Sequence, residues 1–105
     1  MNCFNESGRL TIQPFKIFRE IHGKDEIDII IYRAGNSFFY AINCKLGAFI
    51  RSYYPHPDTP PLSSLFEARA YACNELKQWL LTDRAAKRRT KVFSILEFRQ
   101  QEFEF

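Results

Sequence analysis

Between Pro55 and Pro61 the chain carries four prolines in seven residues, Pro55-His56-Pro57-Asp58-Thr59-Pro60-Pro61. Each removes a backbone donor and fixes one φ angle, so this stretch lies in neither a helix interior nor a central strand. It divides the sequence into two parts that must fold on different periods and then meet across a rigid connection.

The part before the prolines alternates with the two-residue period of strands, broken by turn residues. Four strands are expected: Phe15–Glu20, Glu26–Tyr32, Ser37–Cys44 and Ala48–Tyr54. Gly23-Lys24-Asp25, Arg33-Ala34-Gly35-Asn36 and Lys45-Leu46-Gly47 supply the turn chemistry between them. The isoleucine-rich second strand has the strongest β propensity.

The part after the prolines opens with Ser64-Leu65-Phe66-Glu67, the form of a capping box. Leu65, Ala68, Ala72, Leu76, Trp79 and Leu80 follow at spacings of three and four, which predicts an amphipathic helix over 64–81 with its apolar face on the sheet. At 1.5 Å per residue it would be about 27 Å long, enough to cross four strands. Residues 91–98 fit either a strand or a short helix, and the strand is preferred. The expected fold is therefore α+β, an antiparallel meander of about four strands with one helix packed on one face and a C-terminal strand or short helix.

At 105 residues the chain has the size of a single domain, with residues 1–12 read as a loosely ordered arm. Its 46% hydrophobic and 26% charged residues exclude intrinsic disorder. No stretch approaches the roughly 20 apolar residues that cross a bilayer, and no basic cluster followed by an apolar run begins the sequence. Cys3, Cys44 and Cys73, odd in number and widely spaced, suit reduced thiols in the cytoplasm better than a disulfide framework.

Catalytic patterns are absent. His22 and His56 have no partner at a recognisable spacing, and no CxxC, HExxH, GxSxG or P-loop pattern occurs. Cys44 reads as a small buried hydrophobe, and Asp25, Glu26 and Asp28 as solvated turn and edge charges. Neither a metal nor a cofactor is expected, and the chain reads as non-enzymatic.

Charge is unevenly distributed. Arg84, Lys87, Arg88, Arg89 and Lys91 face only Asp83 within nine positions, a local +4 in a chain of net charge +3, so the remainder carries −1. Clustered cations of this kind contact phosphates and release counterions, although they also complement the C-terminal end of a helix. Aromatic residues make up 16% of the chain, more than so small a core readily hides. Strand alternation assigns Ile17, Ile27, Ile29, Ile31, Phe38, Tyr40, Ile42 and Ile50 to the helix side. It leaves Phe18, Ile30, Tyr32, Phe39, Phe49, Arg51 and Tyr53 on the other face, to stack on unpaired bases, to form a protein interface, or to lie beneath residues 92–98.

The sheet leading to a Pro-Asp-Thr turn, with a helix that begins at Glu67-Ala68 and ends in Trp79-Leu80, resembles antitoxin domains of the HicB type over residues 37–81. That resemblance implies a small toxin partner and oligomers. The Gly-Cys step before the helix and any DNA-binding segment are missing, so no residue roles are carried over.

The preferred reading is a binding module for nucleic acid or a nucleoprotein, with Arg84, Lys87, Arg88, Arg89 and Lys91 on phosphate and Tyr32, Phe39, Arg51 and Tyr53 stacking. The alternative is a phage- or mobile-element-type inhibitor or adaptor that blocks a larger nucleic-acid-processing protein. On either reading a homodimer would bury the aromatic face.

Overall fold

A computed structural model describes residues 4–96. Strands β1 (Lys16–His22), β2 (Asp25–Ala34), β3 (Ser37–Leu46) and β4 (Phe49–Tyr53) form one antiparallel sheet in the order β1-β2-β3-β4. Helix α1 (Leu65–Leu80) crosses one face, and a short helix α2 (Arg84–Arg89) follows, continued by a 3₁₀ turn over Thr90–Val92. The α+β meander expected from the sequence is the fold observed.

Each hairpin closes through two residues of which the first is glycine, at Gly23, Gly35 and Gly47, twelve positions apart and all at φ 62°. Positive φ at the first loop position belongs to the primed turns whose twist matches that of paired strands. The loop length also fixes which way every side chain points. A two-residue loop pairs residue i with i+3, so the helix-facing set changes from odd to even numbers, or back, at each hairpin.

On β2 the helix-facing residues are Ile27, Ile29 and Ile31, and on β3 they are Phe38, Tyr40, Ile42, Cys44 and Leu46, as alternation predicts. On the edge strands the assignment is corrected. Phe18 pairs with Ile29, and Arg51 and Tyr53 pair with Cys44 and Ile42, so Phe18, Phe49, Arg51 and Tyr53 lie on the helix side. Ile17 and Ile50 fall on the open face, 45% and 70% exposed. Hydrophobicity alone favours the aliphatic side chains inward on both edges, and the register of the two-residue loops overrides that preference.

The helix is capped as the capping box requires at its backbone end, Ser64 Oγ accepting from the Glu67 N–H at 3.0 Å. The Glu67 carboxylate accepts instead from the Ser63 hydroxyl. Ala68, Ala72, Cys73, Leu76, Trp79 and Leu80 are buried against the isoleucines of β2 and β3.

The preference for a strand beyond residue 91 is not met within the described part of the segment. Asp83 Oδ1 accepts from the Ala86 N–H at 3.0 Å and starts α2, whose residues Arg84-Ala85-Ala86-Lys87-Arg88 are good helix formers. Phe93 and Ile95 then enter the helix-side core, 4% and 7% exposed. The Glu20 carboxylate satisfies the Ser94 and Ile95 N–H groups at 3.0 and 2.8 Å, work that a ladder would otherwise do. Residues 97–105 lie outside the described residues.

The open face is covered in part by the N-terminal arm, not by residues 92–96. Asn5 Oδ1 accepts from the N–H groups of Ser7 and Arg9, Phe4 and Leu10 form a bridge, and the Phe4 ring meets Phe39 edge-on at 5.9 Å.

Candidate nucleic-acid interface

The basic cluster sits on α2 and the turn after it. Arg84, Lys87, Arg88 and Lys91 follow at i, i+3, i+4 and i+7, the spacing of one helix face, and all four are exposed. With Thr90 they line a shallow concavity of about 340 Å³. None of the four forms an ion pair with a described residue. The opposite side of α2 presents Ala86, which is buried, so one face is anchored and the other is left to solvent.

Arg89 belongs to the anchored side. Its Nη1 lies 3.1 Å from Asp25 Oδ2, and its guanidinium covers Gly47 so closely that a Cβ there would stand 2.7 Å from Nε. Asp25 also accepts the Gly47 N–H at 3.0 Å. The Gly47 bond foremost, and the Arg89 guanidinium after it, hold the Asp25 carboxyl below its ordinary range against the opposing effect of desolvation. Asp25 and Asp28 are thus buried and paired rather than solvated, Asp28 meeting Arg19 Nε at 2.8 Å.

A second carboxylate fixes the chain beyond α2. Glu20 accepts from the backbone and hydroxyl of Ser94 and from the backbone of Ile95, and meets His22 Nε2 at 2.5 Å. Desolvation raises the Glu20 carboxyl, but the donors from His22, Ser94 and Ile95 together outweigh it and leave the group below its usual value. His22, without a partner in the linear sequence, packs its ring edge-on to Phe93 at 4.6 Å.

The four residues expected to stack do not share a face. Phe39 is 7% exposed beneath Phe4. Tyr32 lines a cleft of about 500 Å³ between the arm and the sheet, with Arg9, Leu10, Tyr54 and Pro55. Arg51 and Tyr53 lie on the helix side, where the Arg51 guanidinium stands 4.6 Å over the Trp79 ring and Tyr53 lies 5.2 Å from Tyr40. Trp79, whose Nε1 donates to Glu75 at 3.0 Å, is part of this second group. Its helical spacing marks it only as core, and it is the β4 register that brings Arg51 to it.

Chemically the described residues offer charge and hydrogen bonding. Among them no group of three or more His, Cys, Asp or Glu could hold a metal ion. Burial, with Asp25 nearby, pushes the Cys44 thiol up to about 12, so it stays protonated at neutral pH and is a poor nucleophile. No helix among the described residues is long and apolar enough to cross a membrane. Comparison with protein-family models, curated proteins and solved structures returns no match, for the segment resembling HicB-type antitoxin domains or for any other part of the chain.

Proposed function

We propose that the chain is a non-catalytic binding module that grips the phosphate backbone of nucleic acid through the exposed face of α2. The observation that carries this reading is the set Arg84, Lys87, Arg88 and Lys91, four cations with no ion pair among the described residues, aligned on α2 and the turn after it around a concavity. From Arg84 to Lys91 the face spans about 10 Å at 1.5 Å per residue, within reach of successive phosphates of one strand.

Arg89 is assigned to anchoring and contributes no phosphate contact while Asp25 holds it. With Tyr32 and Phe39 turned away from Arg51 and Tyr53, base stacking is not part of the proposal. A surface of backbone contacts alone positions nucleic acid without reading its sequence.

The test is titration of a labelled 20-base-pair duplex, in two unrelated sequences, between 50 and 200 mM salt. Four phosphate contacts give a slope of log affinity on log salt of about −3.6, roughly a hundredfold loss over that range, equal for both sequences. Lys87→Glu with Arg88→Glu should abolish binding. Absence of binding at 50 mM salt, or a strong preference for one sequence, would refute the proposal.

A further inference from the structure

The helix-side face of the sheet is covered unevenly. Helix α1 packs on β2 and β3, which leaves the helix-facing rows of both edge strands to other cover. Along β1 the cover is the segment from Phe93 to Ile95, held by Glu20 and stacked on His22. Along β4 the corresponding row, with Arg51 and Tyr53, borders α1 at Trp79 and β3 at Tyr40, and there Arg51 remains exposed. Arginine, tyrosine and tryptophan are the residue types that carry most binding energy in protein interfaces.

The backbone along the outer edge of β4 is also open. Leu46 and Phe49 close a two-residue hairpin loop and form the hydrogen-bonded pair, so alternation turns the peptide groups of Arg51 and Tyr53 toward β3 and those of Ile50 and Ser52 outward. Among the described residues the outward groups of Ile50 and Ser52 have no backbone partner. Sheet edges are commonly guarded by proline or by outward charges. Within β4 there is no proline, and its one charge, Arg51, is turned in over Trp79.

We propose that the outer edge of β4 binds an extended, acidic segment of a partner protein as a fifth strand. Main-chain bonds to Ile50 and Ser52 hold it, and a carboxylate reaches Arg51. Arg51 makes no ion pair with a described residue, so an incoming carboxylate meets an exposed cation backed by an aromatic ring. The same charge disfavours a second copy of the chain as occupant. Antiparallel pairing of β4 with itself about a two-fold axis sets the two Arg51 side chains opposite or diagonal to one another, where like charges repel.

The experiment uses the isotopically labelled full chain and two synthetic heptapeptides, one alternating glutamate with valine and one alternating lysine with valine. The glutamate peptide is expected to slow amide exchange at Ile50 and Ser52, to shift the Trp79 indole signal, and to bind at least tenfold more tightly than the lysine peptide. Ile50→Pro removes an outward donor at an exposed edge position and should abolish binding with the circular dichroism unchanged. Arg51→Ala should remove the discrimination between the peptides even if Ile50→Pro does not fold. Reversal of Lys87 and Arg88 should leave peptide binding intact, which separates this surface from α2. The proposal is overturned if neither peptide binds at millimolar concentration, if both bind equally, if protection appears away from β4, or if the α2 reversal abolishes binding. Self-association of the wild type that Ile50→Pro removes would assign the edge to a second copy and overturn it as well.

Discussion

Gly47 joins three otherwise separate features: the turn between β3 and β4, the buried Asp25 carboxylate and the Arg89 side chain. Its φ of 62° is unfavourable for any residue with a Cβ, and its N–H is one of the donors on Asp25. A Cβ would stand 2.7 Å from Arg89 Nε, so the guanidinium that ties α2 to the sheet must move. Gly47→Ala should therefore destabilise the fold in urea unfolding by about 1–3 kcal/mol through backbone strain, and by a further amount through displacement of Arg89. Part of the loss should disappear in an Arg89→Ala background, because the displaced side chain is then already gone; equal losses in the two backgrounds would show that Arg89 is not coupled to the turn. None of this coupling is legible in the linear sequence. There Arg89 is one of five clustered cations, and only the placement of Asp25 beside α2, across 64 positions, distinguishes it from Arg88.

At the level of elements, legibility follows the range of the interactions that decide each one. The hairpins were readable because glycine and its neighbours specify a turn locally, and α1 was readable because its cap and apolar spacing lie within its own residues. The facing of β1 and β4 depends on the parity set by the loops, and Ile17 and Ile50 are misleading there because a β-branched side chain suits either face of an edge strand. The segment after α2 was not readable because its hydrogen-bond acceptor is Glu20, 74 positions away from Ser94. That dependence gives a pH prediction. The folded-state carboxyl of Glu20 lies below its ordinary unfolded value, so its contribution is fully present at neutral pH and is lost as acidification titrates the folded group. Glu20→Gln keeps an acceptor but removes the charge. It should lower stability at pH 7 and flatten the fall in stability from pH 5 to pH 3, with Asp25 accounting for part of the slope that remains. Unfolding curves of wild type and variant with the same acid slope would show that Glu20 does not fasten the segment.

The molecule as a whole is a sheet with unequal faces. Among the described residues the largest fully buried side chains lie between the sheet and α1, whereas on the open face the short arm from Phe4 to Leu10 covers Phe39. The proline-rich connection supports that arm from the side, Gly8 approaching Pro57 so that a Cβ would meet its ring at 3.4 Å. The main core does not need the arm, so a chain lacking residues 1–12 should retain the same circular dichroism in the far ultraviolet. It should nevertheless lose the edge-on contact of Phe4 with Phe39, of order 0.5–1.5 kcal/mol, together with the apolar burial around it. The thermal midpoint should fall, and more hydrophobic dye should bind than to wild type, because Phe39 is then uncovered on a face that already exposes Ile17 and Ile50. Duplex affinity should stay unchanged in the same truncation, since α2 is tied to Asp25 and Gly47 and not to the arm. A truncated chain with an unaltered midpoint would mean that the arm contributes nothing to the fold. A loss of duplex affinity would place part of the nucleic-acid surface on the sheet face, beside Arg9 and Tyr32.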